Sequence, residues 1–359
     1  MSISSALLVK IAVDLQILTA EPLCDPDDWE LCSWLDKWGY FRDNEGMKHK
    51  APGRSHRHHV SVFDLQSMFP DEDAAVKWVE ALRWPDGERC CPRCTGTKTR
   101  EVPNAKPMPY WCKPCRKYFS VKVGTVMEAS PLPVRTWVFG IYLMTTNLKG
   151  VSSMKLKNDL KINQRTAWYM EHRIRECLID DGAPLQGEVE VDETWIGGRE
   201  KNKHASKKLH PGGGFGGKTP VIGAAERDGR VKARPIERAT RETMESFVRE
   251  TVEDGSTVYT DEHRGYGRLK SGYRHEAVAH SVGEYVRGQA HTNGVESFWA
   301  MLKRGYVGTY HKMSPKHLHR YVNEFAGRRN IRDLDTMAQM AFIILAMVGK
   351  RLKYRDLIR

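Results

Sequence analysis

The hydrophobic positions of this chain change period along its length, and each change indicates a different kind of element. Between residues 71 and 82, apolar side chains recur at helical spacing behind an acidic start that suits the positive end of a helix dipole. The same period predicts helices over 134–144, 152–160 and 163–178. The basic, His-rich stretch from Lys48 to His59 lacks apolar periodicity, and we interpret residues 1–59 as an appended, partly disordered segment.

From residue 187 the pattern shortens to strand-like alternation. It predicts a strand over 187–196, a hairpin of 221–225 and 230–236, and a strand over 257–260, with a helix over 240–252 between the last two strands. Further helices are predicted over 291–304 and 314–329. This order predicts an α/β domain with a mixed sheet over 187–330, followed by a C-terminal helical tail over 331–359.

The helices of the 130–180 segment have two readings. A break of two residues separates the helices over 152–160 and 163–178, which is the dimension of a helix-turn-helix. In that reading Arg165, Arg173 and Arg175 lie on the exposed side of a recognition helix that contacts DNA. A plain helical bundle with solvated charges fits the pattern equally well.

Charge adds a class of partner. The 359 residues contain 57 Lys and Arg against 45 Asp and Glu, a net charge of +12, which indicates an anionic partner such as DNA or a membrane surface. The apolar run 340–348 is too short to span a bilayer, and the run 134–148 is interrupted by polar residues. We therefore expect no membrane partner and a cytoplasmic, nucleoid-associated protein with reduced thiols.

Four of the eight cysteines form a metal-binding pattern. Cys91, Cys94, Cys112 and Cys115 are spaced C-x2-C-x17-C-x2-C. Two such turns direct four thiolates toward one point, so the spacing predicts a structural Zn²⁺ in a ribbon over 89–124, behind a helical lead-in over 60–88. Cys90 is an alternative to Cys91 as a ligand.

Three carboxylates stand out by their places in the predicted domain. Asp192 and Asp261 each end an apolar strand, and Glu296 lies on a helix rich in Phe, Trp and Leu. Together they would present oxygen ligands at one sheet edge, which suits a pair of Mg²⁺ or Mn²⁺ ions. Taken singly, each acid could equally cap a loop or pair with a cation. Lys303, two helical turns after Glu296, would hold DNA phosphates beside these ions.

These acids lie in three motifs, which run from Val191 to Gly198, from Tyr259 to Asp261 and from His291 to His311. The motifs, and the cysteine ribbon ahead of them, resemble the DDE transposases of bacterial insertion sequences, in the ISXO-like group. The resemblance covers roughly residues 60–330. It implies an RNase H-like catalytic domain over 187–330, two divalent ions, strand transfer at inverted terminal repeats, and action as a homo-oligomer on paired DNA ends.

The resemblance assigns Asp192, Asp261 and Glu296 as catalytic metal ligands. Some relatives carry Asn in the third position, so Asn293 competes with Glu296; we favour Glu296 because a carboxylate binds Mg²⁺ better than an amide. Asn293, Lys303, Arg304, Arg165 and Arg173 are the predicted contacts to double-stranded DNA, both terminal repeats and target. Repeat specificity is expected in the ribbon and residues 152–178.

Two other functional classes fit the same residues. An RNase H-like nuclease or resolvase would share the acids but cut without strand transfer. A non-catalytic zinc-ribbon protein, such as a decayed transposase, would bind DNA without Mg²⁺-dependent cleavage.

Overall fold

A computed structural model describes residues 58–180, 182–198, 200–208, 216–227, 229–261, 264–267, 269, 272–278 and 292–359. The predicted appended segment therefore lies outside the described residues except for its last two, and so does His291 of the third motif. Within these ranges the chain divides into two compact units. One contains the residues up to Thr146 together with Arg332–Arg359, and the other is Asn147–Ile331.

In the described part of the chain, two helices precede the three ribbon strands, and three more helices follow the ribbon. The five strands of the second sheet come next, with one helix among them, and then the last four helices. In the first half the helices and strands are α1 (Val62–Met68), α2 (Glu72–Arg83), β1 (Thr99–Glu101), β2 (Tyr110–Cys112), β3 (Lys117–Phe119), α3 (Val134–Thr146), α4 (Ser153–Leu160) and α5 (Gln164–Arg175). In the second half they are β4 (Glu188–Ile196), β5 (Thr219–Glu226), β6 (Val231–Pro235), α6 (Arg241–Thr251), β7 (Thr257–Asp261), β8 (Arg274–Val278), α7 (Asn293–Gly305), α8 (Leu318–Asn330), α9 (Thr336–Ala346) and α10 (Tyr354–Ile358).

Side-chain caps explain why several helices begin where they do. Asp71 accepts a hydrogen bond from the Ala74 amide ahead of α2, and Ser152 and Thr240 do the same for α4 and α6. Such caps satisfy amides that have no partner inside the helix. Within the described ranges, no helix is long and apolar enough to cross a bilayer.

The first unit joins the ribbon to a small helical core. Strands β1, β2 and β3 pair antiparallel, and α2, α3 and α9 pack against one another. The sequence pattern grouped α3 with the two helices that follow it. In the structure α3 instead packs on α2 and on the C-terminal helix α9, because Val138 and Ile141, fully buried in α3, need apolar partners on more than one side.

The second unit is built on a five-stranded sheet in the order β6-β5-β4-β7-β8. The pairs β4–β5 and β5–β6 are antiparallel, whereas β4–β7 and β7–β8 are parallel. The predicted mixed sheet is thus present. Strand β8 was not predicted, because its sequence Arg-His-Glu-Ala-Val has no apolar run.

Helices cover both faces of this sheet. On one face Val189 and Val191 of β4 pack against Met244 and Phe247 of α6. On the other face α7 and α8 supply a second core, which includes Trp299. Residues at odd and even positions of β4 therefore belong to different layers, as the two-residue period of a strand requires.

Helices α4 and α5 pack on each other, and α5 also contacts α8. Lys161 ends α4 in the left-handed conformation, with φ of 52°, and Asn163 caps α5 by accepting from the Arg165 amide at 2.9 Å. A short connection of residues 161–163 therefore joins these two helices.

Candidate functional site

The four predicted zinc ligands converge on one point. Their sulfur atoms lie within 4.8 Å of one another, and among the described residues this is the only group of three or more His, Cys, Asp or Glu so close. Cys91 and Cys112 are buried, and the Sγ atoms of Cys94 and Cys112 are 3.5 Å apart. Cys90 lies outside the group, so in the first turn it is Cys91 that joins the cluster. Four thiolates fit a structural Zn²⁺ and leave no open position for a substrate.

The parallel pairing of β4 with β7 brings two of the predicted acids to one edge. Glu190 is opposite Tyr259, the last pair of this register. Two residues further along β4, Asp192 is near enough to Asp261 for the charge of Asp261 to raise its pKa. Asp192 is partly buried, and so is Asp261 at the end of β7. The sequence analysis expected Asp192 at the end of its strand, but β4 continues to Ile196 and Asp192 lies in its middle; Asp261 is the last residue of β7.

Helix α7 brings the third acid to the same edge through contacts with β4. The buried Glu190 carboxylate accepts a hydrogen bond from the Val295 amide at 3.0 Å, which fixes the first turn of α7 on the strand. Gly294 permits this approach, because a Cβ there would lie 2.8 Å from Glu190 Oε2. Within the same turn, Thr292 Oγ1 donates to Glu296 Oε1 at 2.8 Å and orients that side chain.

One turn further along α7, Trp299 contacts the first acid directly. Its indole N–H donates to Asp192 Oδ2 at 3.0 Å. The ring lies over Gly223 of β5, where a Cβ would come within 2.7 Å of Cη2. Since Gly223 is opposite Asp192 in the sheet, the missing side chain creates the space through which Trp299 reaches the carboxylate.

The acids influence one another electrostatically. Burial, the charge of Glu193, and the charges of Asp261 and Glu296 together raise the pKa of Asp192 to about 7. Burial, with a contribution from the charge of Asp261, also raises the pKa of Glu193 to about 7, although Tyr266 donates a hydrogen bond to that carboxylate at 2.8 Å. Such an excess of negative charge in a partly buried place is what a divalent cation relieves.

Sequence reasoning missed Glu190, Glu193 and Trp299 as parts of this site. A signal for Glu190 was present: it lies two residues before Asp192 in a strand, so both side chains face the same layer. For Trp299 the sequence offers only its spacing of three from Glu296, which places the two on neighbouring parts of one helix face.

The predicted DNA contacts divide into exposed and buried residues. Arg165 is exposed in the first turn of α5, and Asn293, Lys303 and Arg304 are exposed on α7. Arg173, expected on the exposed side of α5, is instead buried. Its guanidinium lies 4.2 Å from the centroid of the Tyr169 ring and donates to the Tyr169 hydroxyl at 2.7 Å.

Arg175, also expected on the exposed side of α5, is fully buried in an ion-pair network. Its Nε donates to Glu324 of α8 at 2.7 Å, and Glu171 lies 3.5 Å from its Nη2. The hydroxyl of Tyr310, in the π-helical turn that follows α7, donates to the same Glu324 carboxylate at 2.9 Å. These contacts tie α5 and the segment after α7 to α8, a role that charge alone in the sequence did not reveal.

Comparison with known proteins gives two family matches. Residues 184–330 match the ISXO2-like transposase domain, and residues 70–118 match the transposase zinc-ribbon domain. The first range contains all three acids and the whole five-stranded sheet. The second contains the four cysteines and also α2, so the family's ribbon unit begins before the ribbon predicted over 89–124.

One relative is similar over most of its length. The protein described as an uncharacterized protein in transposable element ISH50, from Halobacterium salinarum, is 28% identical to this chain over 275 residues. The match spans 73% of this chain and 92% of the relative.

Proposed function

From the matches to the ISXO2-like transposase domain and to the transposase zinc-ribbon domain, we propose that the chain is a transposase that cuts and joins the ends of an insertion sequence. The proposed chemistry is hydrolysis of a phosphodiester at the element end, followed by transfer of that end to target DNA. The proposed catalytic domain is RNase H-like; the mixed five-stranded sheet, covered by helices on both faces, supports this.

The observation that carries the proposal is the meeting of Asp192, Asp261 and Glu296 at one edge. They come from two parallel strands and a helix that are far apart in sequence, and their charges act on one another. Carboxylate oxygens are the ligands that Mg²⁺ and Mn²⁺ prefer. A pair of divalent ions held there supplies the Lewis acidity that hydrolysis and transfer of phosphodiesters require.

In this proposal Asp192, Asp261 and Glu296 are the residues that would hold the two ions. The Trp299 N–H and the Thr292 O–H then hold two of the carboxylates in fixed orientations.

In the first step the oxygen of a water attacks the phosphorus at the element end, and the bond from phosphorus to the 3′ oxygen breaks. In the second step the freed 3′-hydroxyl attacks a target phosphodiester, which releases a target 3′-hydroxyl. Bonds formed and broken balance in both steps, so no covalent link between protein and DNA is needed. Lys303 and Arg304 lie on the same exposed part of α7 and would bind the backbone phosphates.

Glu296 is our choice for the third ligand, and Asn293 is the alternative. Both side chains are exposed at the start of α7. Glu296 is the one whose charge contributes to the raised pKa of Asp192, and Thr292 orients it. With Arg165 on α5 and the ribbon as further contacts, the proposed partner is double-stranded DNA with terminal repeats, bound by a homo-oligomer at the nucleoid.

The experiment is cleavage and joining with a plasmid that carries the element ends, in Mg²⁺. We expect Asp192→Asn, Asp261→Asn and Glu296→Gln each to lose cleavage by at least about a thousandfold, while zinc content and melting temperature stay near those of the parent protein. Asn293→Ala should retain cleavage. Full cleavage by the Asp192 or Asp261 variant would overturn the assignment. If Asn293→Ala lost cleavage and Glu296→Gln retained it, Asn293 would be the third ligand instead of Glu296.

A second assay separates a transposase from a nuclease. The protein is given an element end that is already cut, with a free 3′-hydroxyl, and a supercoiled target plasmid. We expect joined products that need Asp192. Cleavage without any joining would identify an RNase H-like nuclease instead, and DNA binding with neither reaction would identify a non-catalytic DNA-binding protein.

A further inference from the structure

The three-stranded sheet of the ribbon has two unlike faces. On one face Tyr110 and Phe119 are opposite each other and buried. Both rings pack against Trp84, at centroid distances of 6.2 and 6.3 Å. This face therefore belongs to the core of its own unit.

The opposite face carries a row of one cation and two aromatic rings. In the register of the sheet, Trp111 on β2 is opposite Arg100 on β1 and Tyr118 on β3. The centroids of the Trp111 and Tyr118 rings are 4.5 Å apart, with their planes at 61°. Arg100 is exposed, and Tyr118 is 38% exposed, so both side chains are open to a partner.

The charge around this row selects the kind of partner. Residues 91–118 contain seven Lys and Arg against one acidic residue, Glu101, and all seven cations are exposed. The net side-chain charge is +6, which becomes +4 once four thiolates hold a Zn²⁺ ion. Glu101 itself pairs with Arg89 at 3.0 Å. A surface with this charge attracts a polyanion and repels a basic protein.

We propose that Arg100, Trp111 and Tyr118 form a stacking site for an unpaired base of DNA, used when the element end is opened. This rests on the proposed function for the nature of the DNA but not on the catalytic acids. Every base has a π-face, and aromatic and guanidinium groups bind it by stacking without regard to sequence. The two rings meet at an angle, so a flat base can stack on one ring and contact the edge of the other.

Whether the bases are paired determines which form of DNA can stack on Arg100, Trp111 and Tyr118. In an intact duplex the faces of the bases are covered by their neighbours, so only the exposed cations of the ribbon can contribute there, through phosphates. In a frayed or single-stranded end the base is free to stack. The site therefore favours single-stranded over double-stranded DNA of the same sequence, and the preference resides in the rings.

The test measures binding of the full-length, zinc-loaded protein without Mg²⁺, so that loss of catalysis cannot affect the result. The probes are a single-stranded oligonucleotide from the element end, with one base replaced by fluorescent 2-aminopurine, and the matching duplex. We expect Tyr118→Ala to weaken binding of the single strand about tenfold and to abolish quenching of the 2-aminopurine, while binding of the duplex changes less than about twofold.

Matched variants test whether binding needs the Tyr118 ring or its hydroxyl, and whether Arg100 contributes more than another cation of the ribbon. Tyr118→Phe should bind like the parent protein, and Arg100→Gln should weaken single-strand binding more than Lys106→Gln, a change of another exposed cation on the same ribbon. Zinc content and melting temperature report whether each variant is folded. Parent-like single-strand binding by Tyr118→Ala, an equal loss for single strand and duplex, or an equal loss in Tyr118→Phe would each overturn the proposal.

Discussion

The indole N–H of Trp299 donates a hydrogen bond of 3.0 Å to the carboxylate of Asp192, across 107 residues of sequence. It connects the helix that carries Glu296 to the strand that carries the first acid. Because the donor approaches Oδ2, the Asp192 carboxylate is held in one orientation by a side chain of the helical layer that packs on its face of the sheet. The orientation of the first acid therefore depends on how α7 packs.

Trp299→Phe tests this dependence. Phenylalanine keeps an aromatic ring over Gly223 but has no donor for Asp192. Loss of a partner that orients a metal ligand typically lowers metal affinity or activity about 10- to 100-fold. We expect such a decrease in cleavage of element ends, and a higher Mg²⁺ concentration at half-maximal rate.

A neighbour on the same helix provides the control. Phe298→Leu disturbs the same core without touching Asp192, so it should lower the melting temperature with a smaller effect on the Mg²⁺ dependence. Equal Mg²⁺ dependence in Trp299→Phe and the parent protein would show that the hydrogen bond has no part in holding the ligand.

Gly223→Ala acts on the same contact from the sheet side. The new Cβ would lie 2.7 Å from Trp299 Cη2, so the indole must move away from the strand. Overpacking of this kind costs about 1–3 kcal/mol of folding free energy, and the displaced N–H no longer reaches Asp192. We expect a lower melting temperature together with a loss of cleavage like that of Trp299→Phe.

Gly308→Ala is the matched change, because an added Cβ there meets nothing within 4 Å. It should leave both the melting temperature and the cleavage rate near those of the parent protein. If Gly223→Ala behaved in the same way, the close packing of Trp299 on the strand would not be needed.

The buried network around Arg175 predicts a pH dependence of stability that is independent of the catalytic edge. Burial raises the pKa of Glu171 to about 8, although the charge of Arg175 acts against this. Arg175 is already paired with Glu324, which also accepts from Tyr310 and Arg328. A second negative charge at Glu171 is therefore not needed to balance the guanidinium, and the carboxyl stays protonated at neutral pH.

The raised pKa of Glu171 determines how this group changes the stability of the folded protein with pH. Between the pKa of Glu171 in the unfolded chain, about 4.5, and about 8 in the folded protein, only the folded state holds the proton, so this group makes the protein less stable as pH rises. Glu171→Gln removes the titration. We expect the variant to gain stability relative to the parent protein as pH increases from 5 to about 8, and no further gain above that.

Urea unfolding of both proteins at several pH values measures this difference. His172, which burial keeps neutral, is present in both and therefore cancels. A difference that is constant with pH would mean that Glu171 is ionised in the folded protein and acts as an ordinary partner of Arg175.

Much of the secondary structure follows from local chemistry, and so could be predicted. Asp71, Ser152, Asn163 and Thr240 each sit at a predicted helix start, and each side chain accepts a hydrogen bond from an amide of the first turn. The cysteine spacing likewise placed four sulfur atoms at one point. These features depend on residues within a few positions of one another.

The parts that could not be predicted depend on distant partners. Arg173 and Arg175 have the sequence context of exposed cations. Tyr169 and Glu171, each four residues earlier in the helix, contact them, but nothing nearby in the sequence indicates the Glu324 carboxylate that pairs with Arg175. The partner of Arg175 is 149 residues away. In the same way, the sequence around Glu190 predicts an exposed strand residue, because the helix that buries it, α7, is about 105 residues away.

Loss of zinc should unfold the ribbon and leave the five-stranded sheet folded. Cys112→Ser replaces a buried thiolate ligand with a poor one, so we expect the zinc content to fall from one ion per chain to well below one. Because metal binding supplies folding free energy to small ribbons, the three-stranded sheet should then become open to proteolysis around residues 91–118, whereas the five-stranded sheet of the other unit stays protected. Cys90→Ser, next to the site but outside the ligand group, should keep its zinc and its protection. Loss of zinc in Cys90→Ser but not in Cys112→Ser would contradict the ligand set, and digestion of the five-stranded sheet along with the ribbon would show that the two units do not fold separately.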